Sequence, residues 1–99
     1  MTVSRETIKH YRTIGHNLKP IVMISDNGLS EGVLSELNRA LTDHELIKIK
    51  IAINDRDTRK HVISELCKTC NAQNIQEIGK VALIYRESDK KAIKTSNVR

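Results

Sequence analysis

The sequence predicts a single compact α/β sandwich, in which helices pack on a mixed sheet of about four strands. Three observations support this prediction. The 99 residues are enough for one domain and too few for two independent cores. Hydrophobic residues make up 38% of the chain, without Trp or Phe, which favours one modest aliphatic core. Three segments of helical periodicity alternate with strand-like apolar segments, in the order α-β-α-β-α-β-β.

The first predicted helix covers roughly residues 5–17 and is amphipathic. Ile8, Tyr11 and Ile14 share one face, and Ser4 is placed to cap the start of the helix. Four basic residues fall on the opposite face: Arg5, Lys9, Arg12 and His16. Lys19-Pro20 ends the helix, because a residue before proline avoids the α conformation. The apolar run 21–24 that follows is typical of a strand buried on both faces.

A dense turn signal, Ser25-Asp26-Asn27-Gly28, separates this strand from the second predicted helix, for which Ser30 is the expected N-cap. Phosphate could bind at such a short loop before a helix, where backbone N–H groups are exposed, although Asp26 adds a negative charge. Segment 45–53 then alternates isoleucine with other residues and predicts a strand. Lys48 and Lys50 are expected to lie together on the face opposite the isoleucines.

The third helix is expected to begin at Asp55 or Asp57 and to end at Asn71-Ala72. Segments 73–78 and 81–86 are predicted as strands. Gly79-Lys80 between them fits a two-residue hairpin of type II′. The remaining segment, 89–99, is polar and basic, and we expect it to be a disordered tail of a domain that covers residues 1–88.

The chain carries a net charge of +5, and its acidic residues are concentrated in the middle segment 21–46. A basic surface favours polyanions, above all nucleic acid. The alternative is that the surplus lysine only keeps a small protein soluble. The two Tyr residues offer few platforms for stacking bases, which makes a binder of the RRM or OB type less favoured.

Several function classes find no support in the sequence. No segment approaches the roughly 18–20 apolar residues of a membrane span, and the N-terminus lacks the apolar core of a signal peptide. We therefore expect a cytoplasmic protein with reduced cysteines. Cys67 and Cys70 form a single CxxC, which is weak support for zinc or redox chemistry and better interpreted as two buried apolar residues. No catalytic, nucleotide-binding or metal motif is present, so neither an enzyme nor a cofactor is expected.

Five separate stretches, in the right order, resemble the CRM domain (chloroplast RNA splicing and ribosome maturation), whose stand-alone bacterial form is the YhbY family. They are His16-x-Leu18-x-Pro20, Gly28-Leu29-Ser30-Glu31-Gly32-Val33-Leu34, His44-Glu45-Leu46-Ile47-Lys48-Ile49-Lys50, Ile78-Gly79-Lys80 and Tyr85-Arg86. The resemblance implies a fold similar to the C-terminal domain of translation initiation factor three. It also implies an RNA-binding protein that associates with precursors of the large ribosomal subunit.

In this family a GxxG loop resembles the backbone-clamping loop of KH domains. It aligns with Ser25 to Gly28 here, so that Ser25 replaces the first glycine. The predicted partner is RNA, meaning large-subunit rRNA or a pre-ribosomal particle with its ribosomal proteins; neither DNA nor a membrane is expected. The predicted RNA-binding residues carry positive charge or belong to the loop: Arg5, Lys9, Arg12, His16, Lys19, Ser25, Asn27, Gly28, Lys48, Lys50, Arg56, Arg59 and Arg86.

Two alternatives to RNA binding remain open at this stage. The acidic middle segment, with Glu31, Glu36 and Asp43, could instead dock on a basic ribosomal or other protein. A small metal or redox protein built on Cys67 and Cys70 is the weakest of the three hypotheses.

Overall fold

The computed structural model describes residues 4–88 and 96–98, and the predicted order of elements is confirmed. Three helices and four strands follow one another along the chain: α1 (Arg5–Gly15), β1 (Pro20–Ile24), α2 (Glu31–His44), β2 (Leu46–Ile51), α3 (Arg56–Cys70), β3 (Gln73–Ile78) and β4 (Val81–Tyr85). Among the described helices, none is long and apolar enough to cross a membrane.

The four strands form one mixed sheet in the order β1-β2-β4-β3. β1 and β2 are parallel, whereas β4 is antiparallel to both of its neighbours, β2 and β3. Only Gly79 and Lys80 connect β3 to β4. A type II′ hairpin requires a positive φ at its first central residue and a negative φ at its second. Gly79 has φ +55°, and Lys80 is not among the residues with a positive φ.

Helices cover both faces of this sheet. α2 and α3 pack on one face, where Leu37 and Leu66 meet sheet residues such as Ile49 and Ile84 in the larger core. α1 packs on the other face, over a smaller cluster built on Leu46, Ile75 and Leu83. The result is a three-layer sandwich, and we call the second face of the sheet the α1 face.

Local interactions fix where the helices begin and end. The side chains of Ser4, Ser30 and Asp55 each accept a hydrogen bond from the backbone N–H three residues ahead, which confirms these N-caps. α1 ends at Gly15, two residues earlier than expected. The N–H groups of Asn17 and Leu18 turn back onto the carbonyl oxygens of residues 14 and 15, at 3.1 Å each.

Gly15 and the tyrosine pair bring α1 close to the sheet. A Cβ on Gly15 would lie 2.6 Å from Cδ2 of Leu83, so glycine permits this close approach. The rings of Tyr11 and Tyr85 have centroids 4.8 Å apart. Burial, and then a hydrogen bond with Tyr11, raise the pKa of Tyr85.

The junction between α2 and β2 is built around Glu45, which is fully buried and has φ +62°. The strand expected over residues 45–53 therefore begins only at Leu46. The Glu45 carboxylate accepts hydrogen bonds from the Ser88 N–H at 2.8 Å and from the Ser96 hydroxyl at 2.9 Å. Its two oxygens thus join the end of the domain to the segment 96–98.

Segment 96–98 lies against the domain. The backbone N–H of Asn97 donates to the carbonyl of His44 at 2.9 Å, and Val98 packs against the cluster beneath α1. The disordered tail expected over residues 89–99 falls outside the described residues at 89–95 and 99. At 96–98 the structure shows contacts with the domain instead.

Candidate nucleic-acid interface

Three loops meet at one end of the sheet, which we call the loop end: 25–30 after β1, 52–55 after β2 and 79–80 before β4. Their proximity follows from topology, because β1 and β2 are parallel and β4 runs in the opposite direction. The Ala52 N–H donates to the Ile24 carbonyl at 2.7 Å, and the Lys80 ammonium donates to the Asn54 amide oxygen at 2.7 Å. These bonds hold the three loops in one arrangement.

The loop aligned with GxxG forms a tight turn. The Gly28 N–H donates to the Ser25 carbonyl at 2.9 Å, and Gly28 has φ +73°, a conformation that L side chains rarely adopt. Ser25, Asp26 and Asn27 are exposed on this turn. α2 begins directly after it, so the positive end of the helix dipole faces the same region. The exposed carboxylate of Asp26 opposes that field.

Two arginines at the start of α3 lie at the loop end, one of them exposed and the other bonded to the loop. Arg56 is exposed. Arg59 instead donates from one guanidinium nitrogen to the carbonyls of Ile53 and Asn54, at 2.7 and 2.8 Å, and so supports loop 52–55. Hydrogen bonds from the Thr58 hydroxyl and N–H lower the pKa of Asp55, which keeps this N-cap ionised.

The basic face predicted for the first helix is present on α1. Arg5, Lys9, Arg12 and His16 are all exposed, whereas Ile8, Tyr11 and Ile14 pack against the sheet. His16 is the C-cap of α1 and lines a cavity together with Lys48. The basic stripe therefore runs along the exposed face of α1 from Arg5 to His16, and its last residue lies at the cavity between α1 and the sheet.

Both strand lysines lie on the α1 face, as predicted. Lys48 pairs with Leu83 and Lys50 with Val81, and paired residues on neighbouring strands project to the same side. Lys50 is exposed and Lys48 is half-buried. Met23 pairs with Lys50 from β1, and the Ser25 turn begins two residues after Met23.

One side of the molecule thus brings together six of the predicted residues, and we call it the α1-side surface. It comprises the exposed face of α1 and the two β2 lysines: Arg5, Lys9, Arg12, His16, Lys48 and Lys50. Lys19 lies between α1 and β1, and the turn with Ser25, Asn27 and Gly28 lies at the loop end, between β1 and α2. Arg56 and Arg59 lie at the loop end but on the layer formed by α2 and α3.

Arg86 lies apart from this surface. It follows β4 at the end of the sheet opposite the loop end. Its guanidinium donates to Asn38, Thr42 and the Cys70 carbonyl, at distances between 2.7 and 3.0 Å. These bonds connect the sheet to α2 and α3, so Arg86 has a structural role in the fold.

Cys67 and Cys70 are free thiols in the α3 layer, as expected for small apolar residues. Cys70 belongs to the larger core and Cys67 packs against it. Burial, with smaller contributions from Cys70 and Glu77, raises the pKa of Cys67 to about 11. Within residues 4–88 and 96–98, no three metal-ligating side chains of the His, Cys, Asp or Glu type are grouped so as to hold a metal ion.

Comparison with known proteins decides the family. The CRS1/YhbY (CRM) domain matches residues 3–86 of the chain. The chain belongs to the CRS1/YhbY (CRM) domain family. The resemblance based on sequence motifs is therefore confirmed.

Relatives match the chain over almost its whole length. A protein of Pseudomonas aeruginosa named "Probable RNA-binding protein" is 47% identical over 98 residues, which cover 99% of this chain and 94% of that protein. A protein of Haemophilus influenzae named RNA-binding protein is 39% identical, covering 93% of each chain. Both relatives are thus named for RNA binding.

A solved structure supports the fold independently. The solution structure of a hypothetical protein from Staphylococcus aureus superimposes with a TM-score of 0.79 at 27% sequence identity. The match covers 92% of this chain and 95% of the other. The α/β sandwich is thus shared across most of both chains.

Sequence reasoning missed several residues of the α1 face. Met23, Gln76, Ile78 and Val81 lie beside the strand lysines, but none was selected as a candidate. The residues 73–78 lack strict alternation, because β3 is irregular between Asn74 and Gln76. Only the paired register of the four strands shows that these side chains belong together.

Proposed function

We propose that this protein is an RNA-binding accessory factor that associates with precursors of the large ribosomal subunit. The observation that carries the proposal is the α1-side surface, where the basic face of α1 lies on the same side of the sheet as the β2 lysines. The turn that aligns with the GxxG loop of the CRM family lies at the loop end of the same sheet. The relatives named for RNA binding support RNA as the polyanion. The likeness to stand-alone YhbY proteins supports a role in ribosome assembly.

The chemistry of the α1-side surface is suited to phosphate contacts more than to extensive base stacking. Cations on an exposed helix face can follow an RNA backbone, and the turn at Gly28 allows a close backbone approach. The two tyrosine rings are packed between α1 and β4, where they stabilise the fold instead of stacking on bases. Binding is therefore expected to depend strongly on salt.

A salt titration with a matched pair of double variants tests the surface. Lys9→Ala combined with Arg12→Ala removes two cations from α1, and Arg39→Ala combined with Lys68→Ala removes two exposed cations from α2 and α3. We expect the α1 double variant to reduce the slope of log affinity against log salt by about 1.4–1.8, at roughly 0.7–0.9 per phosphate contact. The control double variant should keep the wild-type slope. Equal slopes in all three proteins would contradict the proposed surface.

Sedimentation of a cell lysate tests the assembly role. The protein should co-migrate with large-subunit precursors at low salt and leave them as salt rises, because phosphate contacts are screened. Persistence at high salt would instead indicate contact with a ribosomal protein, for which Glu36→Lys should weaken the association more than Lys9→Ala. Protein that stays at the top of the gradient in both conditions would contradict the assembly role.

A further inference from the structure

α1 leaves part of the sheet face on which it packs uncovered. It lies over Leu46, Ile75 and Leu83, whereas the next row toward the loop end carries exposed side chains. This row runs straight across all four strands: Met23, Lys50, Val81 and Ile78. Met23 is 61% and Ile78 62% exposed, although both are large and apolar. The open row spans about 14 Å, from three interstrand spacings.

A bulge in β3 supplies two of the residues of this open region. The register shifts between Asn74 and Gln76, so that Gln76 pairs with Leu83 and Ile78 with Val81. Without the extra residue, strand alternation would turn both side chains toward the α3 face. The bulge therefore brings one amide and one large apolar side chain to the α1 face.

A cavity of about 290 Å³ lies where α1 ends above this region. Val81, Leu83 and Pro20 provide apolar walls, and Ile78 extends them toward solvent. Three polar residues also line it: His16, Lys48 and Gln76. Its volume is at the lower end of the range for small-ligand sites, roughly 300–1,000 Å³, so it can accept one planar ring but not a chain of nucleotides.

We propose that this cavity binds a single unstacked base of single-stranded RNA. The inference rests on the proposed RNA binding and adds a site for bases to a surface otherwise suited to phosphate. The apolar walls match the faces of a base, and the Gln76 amide offers both a donor and an acceptor to its edge. Lys48 and Lys50 then lie where the phosphates on either side of that base would run.

The charges favour a neutral ring inside the cavity, with its phosphates outside. The C-terminal end of α1, at Gly15 and His16, is the negative end of a helix dipole, which disfavours a phosphate directly beneath it. An apolar protein segment would fit less well. It would bury the half-exposed Lys48 without supplying a counter-charge, whereas RNA carries its own.

NMR titration of the ¹⁵N-labelled protein tests the proposal. The probes are unstructured heptamers of A, C or U and an RNA duplex of the same length. We expect the backbone signals of Val81 and Leu83 and the Gln76 side-chain amide to shift with a heptamer and not with the duplex. Shifts of equal size with both probes, or no shifts while RNA binds elsewhere, would overturn the inference.

Two variants separate the pocket from the rest of the surface. Gln76→Met keeps the size of the side chain and removes its amide, and Ile78→Ser removes an apolar wall at a position exposed enough to tolerate the change. Each should weaken heptamer binding about fivefold to tenfold, near the lower end of what one stacked base contributes, and leave duplex binding unchanged. The control is Gln73→Met, the same substitution in the same strand near Tyr85 and outside the cavity.

The outcomes also separate this inference from the proposed function. Unchanged heptamer affinity in both pocket variants, together with a reduced salt slope in the Lys9→Ala and Arg12→Ala double variant, would overturn the pocket and leave RNA binding intact. A wild-type protein that binds neither heptamer nor duplex would overturn both.

Discussion

Arg86 donates two hydrogen bonds to Asn38, one to the side-chain oxygen at 2.7 Å and one to the backbone carbonyl at 2.9 Å. The same guanidinium also reaches the Cys70 carbonyl at 2.9 Å and the Thr42 hydroxyl at 3.0 Å. One planar group thus joins the end of the sheet to the middle of α2 and the end of α3. Lysine has a single nitrogen and cannot satisfy acceptors spread across this arc.

Arg86→Lys should therefore reduce stability and leave RNA binding unchanged. Loss of most of these charge-assisted hydrogen bonds is expected to lower the free energy of unfolding by about 2–3 kcal/mol. Urea denaturation measures the loss, and Arg39→Lys, at an exposed position on α2, is the control. A weaker affinity for RNA without a loss of stability would contradict this prediction and indicate that Arg86 contacts RNA.

Glu45→Gln should loosen the segment that Glu45 holds. The Ser88 N–H and the Ser96 hydroxyl donate to different oxygens of the buried carboxylate. In glutamine the single oxygen can accept from the Ser88 N–H, but the amide nitrogen cannot accept from the Ser96 hydroxyl, and the charge that strengthens both bonds is lost. We expect a loss of about 1–3 kcal/mol in the free energy of unfolding. Faster hydrogen exchange at the Ser88 amide should accompany it.

The control for this variant is Glu36→Gln on the exposed surface of α2, which should change stability by less than about 0.5 kcal/mol. If the two variants were equally stable, Glu45 would not hold the segment in the way described.

Asp26→Asn should strengthen RNA binding. The exposed carboxylate of Asp26 lies on the turn between Ser25 and Gly28, where it repels phosphate within the screening distance of roughly 8–10 Å. Removing one exposed charge is worth at most about 1 kcal/mol, so affinity should rise by about twofold to fivefold at moderate salt. Filter binding or fluorescence anisotropy measures the change.

Glu65→Gln, an exposed neutralisation on α3, is the matched control and should leave affinity unchanged. A rise of the same size in both variants would reflect net charge alone, and no rise at Asp26 would place the RNA away from this turn.

Cys67 should make stability depend on pH in the alkaline range. Burial raises the pKa of its thiol from 9.0 to about 11, so between these values the unfolded chain binds fewer protons than the folded one. The contribution is complete below about pH 9 and is lost as the pH rises toward 11. Melting temperatures from pH 8 to pH 11 should fall less steeply in Cys67→Ala than in the wild type.

Thr69→Ala, a neighbouring exposed position without a titrating group, should follow the wild-type pH profile. The Cys67 prediction would be contradicted by identical profiles in all three proteins.

The regular parts of this fold could be predicted from local patterns. Alternation around Ile49 indicated which face each β2 residue occupies, and the capping residues Ser4 and Ser30 marked helix starts, because both signals depend only on residues nearby in the chain. Family motifs added the position of the turn at Gly28. Together these signals located most of the α1-side surface.

Features that depend on contacts between distant elements could not be predicted in this way. The bulge before Gln76 changes the face of the sheet to which the remaining β3 side chains project. No sequence pattern in residues 73–78 predicted this bulge. Glu45 was interpreted as the first residue of a strand, whereas its carboxylate is bound by groups 43 and 51 positions away in the chain. Arg86 was interpreted as the last residue of a strand, whereas β4 ends at Tyr85 and the Arg86 guanidinium bonds to two helices.

The position of β4 has a consequence for how the protein is made. β4 is the last strand of the described residues and yet lies between β2 and β3, so β2 and β3 both lack this neighbour until residues 81–85 are available. A nascent chain that still lacks this segment would expose the apolar residues of β2. It would also lack Leu83 and Tyr85, against which α1 packs. Folding can therefore be completed only after residues 81–85 have been synthesised, and truncation before Val81 should yield a chain prone to aggregation.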